Sequence, residues 1–270
     1  MWEPRPRGDI GLPIHHRTPL GHNCGMQIQD LLFSQGFGTR RVCAGLIQQG
    51  LVTIEGRPVT DPSDTVEPVG LHFWVQGVEW LYQERAYLML HKPAGYECSQ
   101  RPGAWPSVYT LLPAPLRQRA GTAASGVQAV GRLDQDTTGL LLLSDDGRFI
   151  HRMTSPRHLV PKVYEICTLH PVDQRQVDQL LAGVRLEREP LPVRAAACRV
   201  TGTHALSLTL TQGKYHQVKR MLAAVGNRVE RLHRSQIGQL GLPDDLKPGQ
   251  WRWLDADDLL RLDLKEAASP

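Results

Sequence analysis

The chain predicts an α+β fold, with a mixed, largely antiparallel sheet preceded by a small helix-and-hairpin domain. Three observations carry this expectation. Short apolar or alternating runs at 88–90, 127–133, 140–143, 163–169 and 206–210 have the length and pattern of strands. Helical spacing of apolar residues is concentrated at 172–181 and 216–225 of the larger part, where Val218, Met221, Leu222 and Val225 share one face. Strict alternation of strand and helix, the mark of a doubly wound parallel sheet, is missing.

Residues 1–25 are rich in Pro and Gly and have no apolar period, so they read as an extension. His15, His16, His22 and Cys24 lie there, but their spacing matches no metal site. From Met26 the pattern sharpens: Ile28, Leu31, Leu32 and Phe33 line a short helix, and Thr39 stands as N-cap to a second carrying Arg40, Arg41, Val42, Leu46 and Ile47. Gly50 stops that helix, and Val52-Thr53-Ile54, the turn Glu55-Gly56 and residues 57–60 form a hairpin. The small domain is therefore expected over 26–70. Pro68, Gly70 and Gly77 around Leu71-His72-Phe73-Trp74-Val75 suggest a linker over 71–84. The sheet domain follows over 85–262, with a tail over 263–270.

A chain of 270 residues, 41% hydrophobic, can bury one sizeable core and a small extra domain. Cys24, Cys43, Cys98, Cys167 and Cys198 are odd in number, scattered and without a Cys-x-x-Cys pair, which argues against a disulfide framework or zinc site and for a cytoplasmic setting. No apolar run approaches the roughly 20 residues that cross a bilayer. Pro4, Pro6, Pro13 and Pro19 interrupt the place where an export signal needs an apolar core. The net charge of +4 is modest, but its distribution is uneven. Lys214, Lys219, Arg220, Arg228, Arg231 and Arg234 face the single acid Glu230, and Arg148, Arg152, Arg157 and Lys162 form an acid-free run. Such stretches suit phosphates, although on charge alone a solvated basic face fits equally well.

The most specific segment is Val130-Gly131-Arg132-Leu133-Asp134-Gln135-Asp136-Thr137-Thr138-Gly139, followed by the apolar run Leu140 to Leu143. Alone it reads as a polar turn between strands. Its company changes that: Lys92-Pro93-Ala94-Gly95, Lys162-Val163-Tyr164-Glu165-Ile166 and Gly213-Lys214-Tyr215-His216-Gln217-Val218-Lys219-Arg220-Met221 follow in a fixed order. Together these segments resemble the motifs of the pseudouridine synthases over approximately residues 84 to 255. Ser155-Pro156-Arg157-His158, Tyr215 to Lys219 and Ala223-Ala224-Val225-Gly226-Asn227 are similar to the RsuA-type branch acting on 16S rRNA. Residues 26–70 resemble the alpha-L RNA-binding domain, in which Arg40 and Arg41 would meet RNA phosphates. Gln27 and Asp30 occupy places where that domain commonly has basic residues, which implies weaker RNA affinity.

The resemblance implies that Asp134 is the catalytic aspartate, with Asp136 in support, Tyr164 the active-site tyrosine and Lys219 the basic partner. Asp134 would act either as nucleophile or as the base that removes a ribose proton; the residues leave both open. Leu133 is expected in the core, and alternation along a strand puts Arg132 on the side of Asp134, where it would help hold a uridine out of its stack. Arg157, His216 and Arg220 complete the expected RNA contacts, and Lys92 reads as part of a supporting turn. The expected activity is pseudouridine formation in 16S rRNA, of the pseudouridine-516 type, on free RNA or a small-subunit assembly intermediate. No cofactor, metal or protein partner is implied, and a monomer is expected. Rival readings are a 23S rRNA or tRNA substrate, a magnesium cluster of Asp134, Asp136, Asp145 and Asp146, and a non-catalytic RNA-binding assembly factor. Asp145 and Asp146 fit better as the cap of a helix starting near Gly147.

Overall fold

The computed structural model describes residues 25–120 and 126–262. Apart from Gly25, the expected extension and the tail over 263–270 lie outside the described residues. Two compact units divide the chain: residues up to 86 together with 112–128, and residues 87–111 with those from 129 onward.

In the first unit, β1 (Met26–Gln27) leads into α1 (Ile28–Gln35) and α2 (Arg40–Gln48). Thr39 caps α2 by accepting from the Val42 N–H, as its side chain predicts. Next come β2 (Val52–Ile54), β3 (Arg57–Pro58), β4 (Thr65–Val66), β5 (His72–Val75) and β6 (Val78–Leu81). A four-stranded sheet runs β3-β2-β5-β6, and β1 pairs with β4. Ile28, Leu31, Leu32, Cys43 and Ile47 share a core with Val52, Phe73 and Val75.

The segment 71–84 is thus not a linker. It supplies two strands, one of which pairs with β2, and Phe73 and Val75 alternate into the core while His72 and Trp74 do not. The flanking Pro and Gly residues end turns of the sheet rather than a domain. Residues 112–128, expected in the sheet domain, also cluster here. They carry α3 (Ala114–Gln118) and the buried Arg119, which donates from Nη1 to Gln35 Oε1 at 2.8 Å and from Nη2 to the Gln83 carbonyl at 2.6 Å.

β8 (Gln128–Ala129) falls at the division, and the second unit is built on β7 (Tyr87–Lys92), β9 (Thr138–Ser144), α4 (Gly147–Thr154), β10 (Lys162–Thr168), α5 (Gln174–Ala182), β11 (Ala197–Gly202) and β12 (Ala205–Leu210). α6 (Gln217–Ala224), β13 (Val229–Ile237), β14 (Leu240–Gly241), β15 (Trp251–Trp253) and α7 (Ala256–Leu262) complete it. The sheet runs β11-β12-β10-β13-β9-β7-β15, with β9 and β13 parallel and the other pairs antiparallel. This is the mixed α+β architecture the sequence predicts. α5 opens on a capping box between Asp173 and Gln176, and Asp146 caps α4 by accepting from Arg148 and Phe149 N–H.

Two differences from expectation matter for the site. The strand expected over 127–133 is reduced to Gln128–Ala129, because Gly131 turns the chain at φ +75° and residues 130–137 leave the sheet as a loop. β13 lies outside the expected strands, since its charged residues mask an alternation that carries Leu232 and Arg234 inward.

Register fixes what each face of the sheet carries. Lys92 pairs with Gly139, Gly139 with Arg234, Arg234 with Tyr164 and Tyr164 with Leu208, so these residues form one row on one face. The next row, on the opposite face, holds Thr138, His233, Glu165 and Ser207. Glycine is required at 139: φ is +108°, and an added Cβ would fall 2.7 Å from the Arg234 nitrogen and nearer still to its carbonyl oxygen.

Candidate active site

The loop between β8 and β9 is held from below by a buried ammonium. Lys92, with no exposed surface, donates from Nζ to the carbonyls of Thr137 at 2.8 Å, Pro93 at 3.0 Å and Gln135 at 3.3 Å. The Gly95 N–H also donates to the Gln135 carbonyl, at 2.7 Å. The Lys-Pro-x-Gly turn therefore fastens the loop at both residues flanking Asp136. Burial pushes the Lys92 ammonium below its ordinary pKa, against the opposing charges of Cys98, Asp136 and Asp134.

Above the loop stands the first turn of α6. Lys219 donates to both oxygens of Asp136, at 2.7 and 2.8 Å, and its Nζ is 3.9 Å from Asp134 Oδ2. Nearer to Asp134 is the His216 imidazole, whose Nε2 lies 3.4 Å from Oδ1. The expected Lys219–Asp134 partnership is therefore routed through Asp136. Burial raises the Asp136 pKa, but the hydrogen bonds and charge of Lys219 outweigh it and hold the carboxyl below the usual carboxylate range. Asp134 retains a side-chain exposure of 29% and so keeps a path to an incoming group. The positive end of the α6 dipole lies on the same side, as the contacts of its N-cap and third residue require.

His216 is strained. It adopts the left-handed conformation at φ 47° and ψ 35°, a cost of order 1 kcal/mol for a residue with a Cβ. Its ring stacks on Tyr215 at 3.8 Å between centroids and 18° between planes.

Tyr164 is buried at 8% exposure on the face that also carries Lys92 and Arg234, and it lies opposite Arg234 in the register. Arg234 is 2% exposed; its Nε donates to the Leu140 carbonyl at 2.8 Å, and its Nη2 has no hydrogen-bond partner among the described residues. The sequence places Arg234 in a basic run that suits phosphate, but alternation with Leu232 takes it into the interior. Lys162, two residues before Tyr164, is pushed down to about 8 by burial and then by the charge of Arg234.

The other expected RNA-binding residues differ in exposure and in what they touch. Arg132 is exposed, on loop rather than strand, while Leu133 is buried as expected. Arg157 is exposed on the 3-10 turn Pro156–His158. Arg220 is turned back on the protein: it donates to the carbonyls of Tyr215, at 3.2 Å, and Glu187, with Glu189 at 3.6 Å. In the first unit, Arg40 pairs with Asp30 at 2.8 Å and lies over the Phe33 ring, and Arg41 is exposed. Asp145 is buried and Asp146 accepts from the Tyr87 hydroxyl at 2.7 Å while capping α4, so neither joins Asp134 and Asp136. Among the described residues no group of three His, Cys, Asp or Glu is arranged to hold a metal ion.

Residues 86–224 match the RNA pseudouridylate synthase family model, and residues 26–70 match that of the S4 domain. The chain is 38% identical to "Ribosomal small subunit pseudouridine synthase A" of Escherichia coli (strain K12), over 85% of this chain and 97% of that one. It is 37% identical to the protein of the same name from Pasteurella multocida (strain Pm70), over 82% and 92% of the two chains. A crystal structure described as pseudouridylate synthase superposes with a TM-score of 0.61 at 32% identity, covering 87% of this chain and 99% of that one. The loop carrying Asp134 and the helix carrying Lys219 thus lie within or beside a matched region of just over half the chain, and the chain belongs to the RNA pseudouridylate synthase family as an RNA pseudouridine synthase with an S4 domain.

Proposed function

We propose that this enzyme isomerises one uridine of 16S rRNA, at a site of the pseudouridine-516 type, with Asp134 as the catalytic residue. The observation that carries the chemistry is the placement of Asp134 on a loop braced by Lys92, within reach of His216 and of the Lys219–Asp136 pair. The address rests on the similarity to small-subunit synthases over most of both chains.

The reaction breaks the N1–C1′ bond, turns the uracil, forms C5–C1′, and moves one proton from C5 to N1, with no net redox change. No cofactor is needed for that balance. Asp134 attacks C1′ or takes a ribose proton, and either role needs a carboxylate held still against its target. Lys92 fixes the loop backbone, and Lys219 with Asp136 fixes the other side. Tyr164 offers a ring to the detached uracil and a hydroxyl for the C5 proton, on a strand whose neighbours Arg234 and Leu208 are both buried. The exposed Arg132 and Arg157, together with His216, supply the contacts that draw in phosphates and hold the target outside its stack. Arg40 and Arg41 do the same for the S4 domain. The enzyme works as a monomer in the cytoplasm, on 16S rRNA or a small-subunit assembly intermediate, without a protein partner.

The test is incubation of the purified protein, in chelator, with 16S and 23S transcripts, followed by mapping of carbodiimide-dependent reverse-transcription stops. One new stop in 16S rRNA is expected. A stop in 23S rRNA alone would overturn the address and keep the chemistry. If neither naked transcripts nor partially assembled small subunits acquire a stop while RNA is still bound, the enzyme reading of this site fails.

A further inference from the structure

Two aromatic side chains among the described residues are more than a third exposed, Trp105 at 47% and Tyr215 at 71%. Tyr215 is the more exposed, and its place is unusual. One face of its ring is stacked on His216, which reaches Asp134, so the open face looks outward at the border of the active site.

The exposure is not that of a loose loop. The Arg220 guanidinium donates to the Tyr215 carbonyl, the Lys214 N–H to Gln217 Oε1 at 2.8 Å, and the Arg220 N–H to the His216 carbonyl at 3.0 Å. Lys214 Nζ is in turn paired with Glu189 at 2.5 Å. Two cations that the sequence offers for phosphate are spent on holding this backbone. His216 keeps a left-handed conformation without offering a side-chain cap to α6, so helix capping does not account for the strain. The strained backbone does set its ring under that of Tyr215.

A fixed, solvent-facing aromatic stacked on a second ring is a ready surface for a nucleobase, whose π-face is the same for every base. A synthase that turns its target uridine out of the stack leaves the neighbouring bases without a partner on one side. We propose that Tyr215, backed by His216, is a stacking platform for an unpaired nucleobase flanking the target uridine, and so a substrate-binding and selectivity residue of this enzyme. The inference rests on the proposed reading of Asp134 as the catalytic centre. It assigns to Tyr215 binding of the RNA rather than a step in the chemistry.

The test compares wild type with Tyr215→Phe and Tyr215→Ala, using uridine-tritiated 16S transcript for turnover and the same transcript for equilibrium binding. Tyr215→Ala is expected to raise KM and Kd by about ten- to a hundredfold, the usual loss for one stacked base, with kcat within about threefold. Tyr215→Phe keeps the ring and is expected to match wild type within about threefold in all three. A Tyr215→Ala enzyme with unchanged KM and Kd overturns the platform, as does a loss confined to kcat. Equal loss in Tyr215→Phe overturns it too, since the hydroxyl would then be the working group. If wild type forms no pseudouridine yet the alanine variant alone loses binding, the proposed function falls and the place of Tyr215 beside a target uridine falls with it, leaving only an RNA-stacking contact. If wild type is active and the alanine variant is kinetically indistinguishable from it, the platform falls and the proposed function stands.

Discussion

The two faces of the large sheet treat polar side chains in opposite ways, although the same strands supply both. On the front face, Lys92, Arg234 and Tyr164 are all under 9% exposed, and Lys162 beside them is held near a pKa of 8. On the back face, one residue out of step, Thr138, His233, Glu165 and Ser207 are only partly buried and satisfy one another: Glu165 accepts from Ser207 at 3.0 Å, and Thr138 bonds His233 at 2.8 Å. Desolvating a cation is costly, so a fold keeps three on one face only where something depends on their positions. For Lys92 that something is the loop it ties down, through the Gln135 and Thr137 carbonyls. The back row follows the ordinary rule that half-exposed polar groups pair and contribute little.

The sharpest way to test that division is at the loop itself. Asp134→Asn keeps shape and removes the carboxylate, and kcat is expected to fall by at least about 10⁴-fold. The Kd for 16S RNA should change less than about threefold, read by tritium release and filter binding. Retained turnover would move the catalytic role elsewhere. Next comes Lys219→Met, which frees Asp136 and weakens the field at Asp134; kcat should drop by about 10²- to 10³-fold. The Asp136 carboxyl, no longer held down, should titrate higher, and an unmoved activity would detach α6 from the chemistry.

A structural break of the front row is available at Gly139. The side chain of Gly139→Ala collides with the Arg234 backbone in the β9–β13 pairing, and the left-handed φ adds strain. A loss of about 3 kcal/mol or more in denaturant unfolding is expected. A loss below about 1 kcal/mol would mean that the parallel pair does not anchor the loop.

How much of this was legible in the chain follows from the same contrast. The strands 88–90, 140–143, 163–169 and 206–210 stand out because long apolar or alternating stretches survive there. β13 is hidden because Arg231 and Arg234 read as part of a basic run, while only the Leu232 and Arg234 alternation tells which of them goes inside. The motif marks Asp134 as the candidate catalytic residue. Its geometry was not legible: which carboxylate Lys219 would grip depends on a left-handed His216 and a loop tied by Lys92, contacts between residues more than 40 positions apart. The 71–84 strands were obscured by Gly and Pro residues that belong to turns of the small sheet.

Lys162 separates cost from function on the front face. Its folded pKa, about 8, lies below the ordinary lysine value of 10.5, so between these pH values the unfolded chain binds more protons and stability rises with pH. Below pH 8 the full penalty is present. Lys162→Met is therefore expected to stabilise at pH 7, by about 1 kcal/mol once the lost hydrogen bond to the Val160 carbonyl is offset. That gain should vanish as pH rises from 8 toward 10.5, in urea unfolding followed at several pH values. A pH-independent difference would show that Lys162 is not desolvated in the folded state.

The smallest effect belongs to the back row. Glu165→Gln preserves size and one acceptor oxygen for Ser207 and Ser235, and the unfolding free energy at pH 7.5 should change by less than about 1 kcal/mol. What should move is His233. Burial, then the charge of His91, holds its pKa below 6.5, and Glu165 works in the opposite direction. Without that carboxylate the His233 pKa should fall further, as read from the imidazole proton shifts in an NMR titration. Because the unfolded chain takes up this proton first, stability is lost as pH falls below 6.5, and the variant should lose it over a wider interval. A cost above about 2 kcal/mol at pH 7.5 would mean that the back row is as tightly constrained as the front. The buried cations of the front row would then mark a generally rigid sheet, rather than a face reserved for holding the Asp134 loop.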